Sequence, residues 1–197
     1  MADLQVLRFP QSKSIDAVRF LTPPAAFSRF IVAAVNDGVE IHTLNTPDFR
    51  LQSSWPIPSR ISSLRVSQTP QKPVIAAATI AGSFHLLFVD PVEASLESEL
   101  SLSDKSFHAG GGITSVDLDG SRCECVSAGE DGRVNLVRFG ESRLNCSLVS
   151  DSRGLVAYSA ARWGSPAEFA TGGLGHSVQW WDQRKPGGAA VQSKGDW

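Results

Sequence analysis

The stretch that decides the fold is CVSAGEDGRVNLVRF, which runs from Cys125 to Phe139. It joins a strand of small residues to an alternating strand through a turn that contains Glu130, Asp131 and Gly132. An Asp-Gly pair is typical of a tight hairpin, because Gly adopts a positive φ and Asp bonds its own backbone. An acidic pair beside a glycine could also belong to a catalytic site, so the interpretation depends on whether the pattern recurs.

The pattern occurs four times in all, at a spacing of about 44 to 50 residues. Its turn position is held by Asp37, Ala81, Asp131 and Gly175. A short apolar strand precedes each unit, and a further strand follows each of the first three. Four strands per unit at this period are the signature of β-propeller blades. Recurrence therefore assigns a structural role, rather than a catalytic one, to the turn residues Asp37, Gly38, Gly82, Asp131 and Gly132.

We predict an all-β fold, a partial propeller of about four blades. The period divides the chain into a latch strand in residues 1–14, blade 1 in 15–58, blade 2 in 59–104, blade 3 in 105–152 and an incomplete blade 4 in 153–197. Since propellers of this repeat class have typically seven or eight blades, we interpret the chain as a fragment, a truncated gene model or a splice form. A closed four-bladed ring is the alternative. An open arc would expose apolar flanks, so the chain alone is expected to be oligomeric or aggregation-prone.

The composition argues against several function classes. Eighteen basic and twenty acidic residues give a net charge of −2, which offers no long-range attraction to nucleic acid or to anionic membranes. The sequence has neither an apolar run of membrane-spanning length nor a secretory signal. Its three cysteines, an odd number, favour reduced thiols and an intracellular compartment. We expect no direct nucleic-acid binding and no membrane insertion.

No catalytic or metal-binding motif stands out. Cys123 and Cys125 would share one strand face, but a metal site needs about four ligands, so packed thiols are expected. His42 and His85 fall in third strands, where a half-buried or solvent-facing position is expected. The triple glycine 110–112 lacks the lysine of a phosphate-binding loop. We therefore predict a protein that is not an enzyme and that has no cofactor, no metal and no small-molecule substrate.

The segment SVQWWDQR, from Ser177 to Arg184, contains the dipeptide Trp181-Asp182 at the third strand of a unit. In this position it resembles the motif of WD40 repeats, which implies a WD40 β-propeller. The structural tetrad of that repeat is incomplete. The third unit has His108, Ser127 and Asp131, but Val137 where the repeat has Trp. The fourth unit has Thr171 and Trp181, but Gly175 where the repeat has Asp.

Taken in order, several segments are similar to one WD40 family, the nucleoporin forty-three family of the nuclear pore outer-ring Y-complex, over its N-terminal portion. They are LRFPQSKSIDAVRFLTPP, VSAGEDGRVNLVRF, LVAYSAARW and VQWWDQRKPGG. The resemblance implies a seven-bladed, non-enzymatic scaffold that binds other Y-complex nucleoporins, which are α-solenoid proteins. It also implies a location in the nucleus, at the nuclear pore complex of the nuclear envelope, and a supporting role in nucleocytoplasmic transport, including that of mRNA.

Two residues are candidate partner contacts. Trp180 points away from Trp181 and serves either blade packing or an exposed contact. Arg184 completes a WDxR tetrapeptide that resembles the motif of WD40 substrate receptors in cullin-based ubiquitin ligases, which is the alternative function. The acidic stretch from Pro91 to Asp104 is either a solvated connection or a partner-binding loop.

Overall fold

The computed structural model describes residues 14–21, 29–45, 48–103, 107–174, 177–185 and 188–194, and contains four antiparallel sheets of four strands each. Each sheet is a meander in which consecutive strands pair, and we call it a blade. The predicted all-β class and the predicted number of blades are confirmed. The predicted latch strand was placed in residues 1–14, of which the structure describes Ser14 alone.

The strands follow the repeat in chain order. Blade 1 consists of β1 (Ile15–Leu21), β2 (Arg29–Val35), β3 (Gly38–Asn45) and β4 (Asp48–Pro56). Blade 2 consists of β5 (Ile61–Gln68), β6 (Pro73–Thr79), β7 (Phe84–Val89) and β8 (Leu96–Leu102). Blade 3 consists of β9 (Ile113–Asp119), β10 (Glu124–Gly129), β11 (Arg133–Phe139) and β12 (Leu144–Asp151). Blade 4 consists of β13 (Tyr158–Ser165), β14 (Glu168–Gly173), β15 (Ser177–Asp182) and β16 (Val191–Lys194).

The middle strands of the central blades are buried on both faces. Every residue of β6, β7 and β10 is buried. In β11, buried side chains point to both faces of the sheet, Val134 and Leu136 to one face and Asn135 and Val137 to the other. A sheet packed on both faces loses the usual alternation of apolar and polar residues. Small residues in the second strands, such as Ala76 and Ala128, let adjacent blades approach closely.

Among the described residues, the hydrophobic core consists of three clusters, each between two adjacent blades. The first joins blades 1 and 2 through residues such as Ile41 and Leu64. The second joins blades 2 and 3, where the ring of Phe84 meets that of Phe107 edge-on at 6.1 Å between centroids. The third joins blades 3 and 4 around Phe169 and Trp181. Each blade thus depends on its neighbours for burial.

Polar bonds between the first strands of successive blades repeat along the arc. The Ser63 hydroxyl accepts the Val116 N–H at 3.1 Å, and one blade further on the Ser115 hydroxyl accepts the Ala161 N–H at 3.1 Å. Since the two bonds lie at matching positions, they set the same offset between blades 2 and 3 as between blades 3 and 4. These first strands, β1, β5, β9 and β13, contact one another in order and form the inner row of the arc.

The outer faces of the first and fourth blades carry exposed apolar side chains. On β1 these are Val18 and Phe20, and we call this surface the blade-1 flank. On β15 and β16 they are Val178, Trp180 and Val191, which we call the blade-4 flank. Among the described residues, no helix is long and apolar enough to span a membrane.

Candidate interaction site

His108 lies at the centre of a buried polar cluster in blade 3. Its Nδ1 is 2.9 Å from Oδ1 of Asp131, and its Nε2 is 3.1 Å from the hydroxyl of Ser127. Because a carboxylate can only accept a hydrogen bond, Nδ1 carries the proton and donates a hydrogen bond to Asp131. Asn135 donates to the Phe107 carbonyl at 2.8 Å. The structure thus brings together the three predicted tetrad residues of this blade and adds Asn135, which the sequence reasoning missed.

The cluster fixes a loop and does not form an open catalytic site. Ser127 is fully buried, and Oδ2 of Asp131 also accepts the Ala109 N–H at 2.8 Å. Burial lowers the pKa of His108, while the hydrogen bond to Asp131 opposes that shift. The imidazole is therefore neutral at pH 7 and serves as a bridge from the inter-blade loop to the sheet.

The predicted turn residues occupy the hairpins between second and third strands. Gly132 and Gly82 have φ values of 78° and 82°, and Asp131 accepts the Arg133 N–H at 3.1 Å. Gly38 differs, because its φ of 159° is close to extended backbone. There a Cβ would lie 2.1 Å from the carbonyl oxygen of Trp55, so close packing by β4 requires glycine. Asp37, just before it, accepts the Ile57 N–H through its carbonyl at 3.0 Å.

Trp181 packs into the core between blades 3 and 4. Its indole N–H donates to the Thr171 hydroxyl at 2.8 Å, and its ring stacks on Phe169 at 6.0 Å between centroids. Asp182 follows it and is buried. Hydrogen bonds from the Arg184 side chain and backbone lower the pKa of Asp182 to about 2. This carboxylate is therefore ionised throughout the neutral range.

Arg184, one of the two candidate partner contacts, bonds within its own blade. Its Nε and Nη2 donate to the two carboxylate oxygens of Asp182 at 2.8 and 2.9 Å. Nη2 also donates to Glu168 at 3.1 Å. The side chain remains 67% exposed, but its charge is balanced by these two carboxylates.

Trp180, the other candidate contact, lies on the blade-4 flank. Its ring is 40% exposed and passes over Gly164, where a Cβ would lie 3.4 Å from the indole. Val191 pairs with Trp180 on the neighbouring strand, and Val178 precedes it by two residues, so all three share one face. Trp180 therefore lies in an apolar surface, whereas the other predicted contact residue, Arg184, is paired with carboxylates.

The third-strand histidines are buried, contrary to expectation, because each faces a glutamate. His42 Nε2 is 2.9 Å from Glu40 Oε2. His85 bonds Glu99 through Nδ1 and the Ser83 hydroxyl through Nε2 at 2.8 Å. Glu99 also accepts the indole N–H of Trp55, in blade 1, at 2.8 Å. The sequence signal that could have indicated a buried pair was the alternation of Glu40 and His42 with apolar residues. No local pattern marks Glu99, which lies on the neighbouring strand, 14 residues from His85.

The cysteines do not share a strand face as expected. Cys123 precedes β10, in a left-handed conformation that ends the 3-10 turn Gly120–Arg122, and Cys125 is buried within the strand. Burial raises the pKa of both thiols, so they stay protonated at neutral pH. Within the described part of the chain, no group of three or more His, Cys, Asp or Glu residues could hold a metal ion.

The comparisons with known proteins give a fold and a relative. The chain is 43% identical over 217 residues to the nuclear pore complex protein NUP43 of Arabidopsis thaliana, covering 98% of this chain and 59% of the relative. The chain therefore spans less than two thirds of that relative. No protein-family model matches.

Solved structures with the same architecture are distant in sequence. A chain of the Chaetomium thermophilum polycomb repressive complex 2 bound to GSK126 superposes with a TM-score of 0.66 and 13% identity, covering 93% of this chain and 42% of that one. Chaetomium thermophilum Raptor superposes with a TM-score of 0.64 and 14% identity, covering 95% and 17%. These are WD40 propeller folds, and they confirm the predicted fold class.

Proposed function

From the assignment of this chain to the NUP43 family of WD40 nucleoporins, we propose that it is a non-enzymatic scaffold component of the nuclear pore complex. The observation that carries the proposal is its similarity to NUP43 along nearly the whole chain. We further propose that it belongs to the outer-ring Y-complex, binds α-solenoid nucleoporins there and supports nucleocytoplasmic transport. Its location would then be the nuclear envelope.

The internal bonding of the blades supports a scaffold role. The polar residues with catalytic potential in blade 3, His108 and Ser127, are bonded to each other below the surface. Inter-blade bonds such as Ser115 to Ala161 hold the sheets at fixed offsets. A rigid body of this kind presents its surfaces with little loss of conformational entropy on binding.

We propose the blade-4 flank as a packing surface, either for a further blade of the propeller or for a neighbouring protein of the pore. Trp180 and its neighbours Val178 and Val191 form an exposed apolar surface, and tryptophan is enriched among residues that dominate binding energy. Arg184 is a weaker candidate, since Asp182 and Glu168 already satisfy it. The comparisons give no support to the alternative of a ubiquitin-ligase substrate receptor.

The test is affinity purification of the tagged full chain from cells, together with its localisation. We expect a nuclear-rim signal and recovery of other nucleoporins, reduced in Trp180→Ala and unchanged in Arg184→Ala. The Arg184 variant tests the alternative function, because Arg184 completes the WDxR tetrapeptide. A diffuse signal, with recovery of a cullin adaptor that Arg184→Ala abolishes, would refute the scaffold proposal and favour the receptor.

A further inference from the structure

The inner row of strands carries a charged residue at one shared position. The segments read AVRF in β1, SLRV in β5, SVDL in β9 and AARW in β13. In each blade the charged residue follows an apolar one and pairs with a small or apolar residue of the second strand, such as Val32 opposite Arg19 and Ala170 opposite Arg162. The repeat thus places four charged residues along the inner row: Arg19, Arg65, Asp117 and Arg162.

The three arginines are held in the same way. In each, Nη1 donates to the carbonyl of the preceding residue, at 2.8 Å in Arg19, 3.0 Å in Arg65 and 2.7 Å in Arg162. A guanidinium has five N–H donors, so this bond orients the group and leaves other donors free to bind. The three arginine side chains therefore share one conformation, fixed by this hydrogen bond, and present their remaining N–H donors along the inner row.

The positive charge in this row exceeds the negative charge. Asp117 accepts from Arg65 Nε at 3.1 Å and from the Trp163 N–H at 2.8 Å. Arg19 and Arg162 form no ion pair among the described residues. The four charged residues lie on strands that contact one another in order, β1, β5, β9 and β13. Burial, and then the charges of Arg65 and Arg162, lower the pKa of Arg19. Three arginines and one aspartate leave two positive charges.

We propose that Arg19, Arg65 and Arg162 form a binding site for a phosphate group, either as free phosphate or as a phosphorylated side chain of a partner. A phosphate monoester carries close to two negative charges at pH 7 and three strong acceptor oxygens, which match the excess charge and the free donors. Arginine presents planar, directional donors, and a phosphate monoester has a third acceptor oxygen and a higher charge than a carboxylate, so it can accept from more than one guanidinium. The site is independent of the proposed pore function.

The experiment is calorimetric titration of the full chain, at low ionic strength, with inorganic phosphate and separately with O-phosphoserine. Arg19→Gln combined with Arg162→Gln removes the two unpaired charges, and we expect binding to weaken by about tenfold or more. Arg50→Gln combined with Arg143→Gln is the matched control, because it removes the same charge from exposed residues of β4 and of the turn before β12. The control should bind as the unmodified chain does.

A second variant keeps the test decisive if the double substitution fails to fold. Asp117→Asn retains an acceptor oxygen for the Trp163 N–H but removes the negative charge, so phosphate should bind more tightly. Tighter binding of phosphoserine than of phosphate would identify a phosphorylated partner, and the reverse would identify free phosphate. The proposal is overturned if neither binds, if glutamate binds as well as phosphate, or if the control pair weakens binding equally.

Discussion

Gly132 shows how a single residue constrains a blade. Its φ of 78° lies in the left-handed region, and a Cβ there would lie 2.0 Å from the Ser152 hydroxyl and 2.9 Å from the Val156 carbonyl. The hairpin between β10 and β11 therefore requires glycine for its conformation and for the space beside the loop that leads to blade 4. Both reasons are physical, and neither involves catalysis.

Replacing Gly132 by alanine should destabilise the chain by about 1–3 kcal/mol. The positive φ is strained for a residue with a side chain, and the new Cβ would collide with its neighbours. Gly140→Ala is the matched control, since a Cβ there meets nothing within 4 Å and its φ is not positive. Urea denaturation followed by tryptophan fluorescence measures both free energies of unfolding. Equal stabilities for the two variants would show that the turn tolerates a side chain.

The burial of His85 marks what local sequence could not predict, whereas the partner of His42 is Glu40, two residues away. The turn residues were visible because the same short pattern recurs, and recurrence needs no knowledge of distant contacts. The bond from His85 to Glu99 crosses to the neighbouring strand of the same blade, and the bond from Glu99 to Trp55 reaches the preceding blade, 44 residues away. Without those partners, a histidine in a strand is correctly expected near solvent.

At the level of strands, period-two alternation and small-residue runs placed fifteen of the sixteen described strands. They gave no bounds for β16 (Val191–Lys194), which completes the sheet of blade 4 that the sequence analysis treats as incomplete. What they could not give was the offset between blades. That offset depends on single hydrogen bonds such as Ser63 to Val116 and Ser115 to Ala161, in which a side chain of one first strand accepts a backbone N–H of the next. A serine in a strand has no sequence feature that reveals this role.

Ser115→Ala should therefore weaken the contact between blades 3 and 4. It leaves the Ala161 N–H, in a buried residue, without its acceptor, and an unsatisfied buried donor costs about 1–3 kcal/mol. Ser159→Ala, on the exposed face of β13, should change stability by less than about 0.5 kcal/mol. Hydrogen exchange of the Ala161 amide, together with urea denaturation, separates a local loosening from global unfolding. Unchanged protection in Ser115→Ala would contradict the proposed role.

At the level of the whole arc, burial is uneven. Each internal blade is covered on both faces, whereas the blade-1 flank exposes Phe20 to 68% and the blade-4 flank exposes Val178 to 55%. The sequence predicted the uncovered flanks from the number of blades, but it could not say which side chains would form them. Contiguous apolar surfaces of several hundred Å² are uncommon on soluble monomers, so these flanks favour association.

We predict that the isolated chain self-associates through these flanks. Combining Phe20→Glu with Val178→Glu places a charge on each flank, so a contact that buries either would become unfavourable and the apparent mass should fall toward the monomer. Leu155→Glu is the matched control, because Leu155 is 89% exposed but lies in the loop before β13, outside both flanks. Sedimentation velocity over a range of concentrations measures the distribution. A monodisperse monomer for the unmodified chain, with a sharp cooperative melt, would show that the exposed side chains do not drive association and would weaken the case for the blade-4 flank as a contact surface.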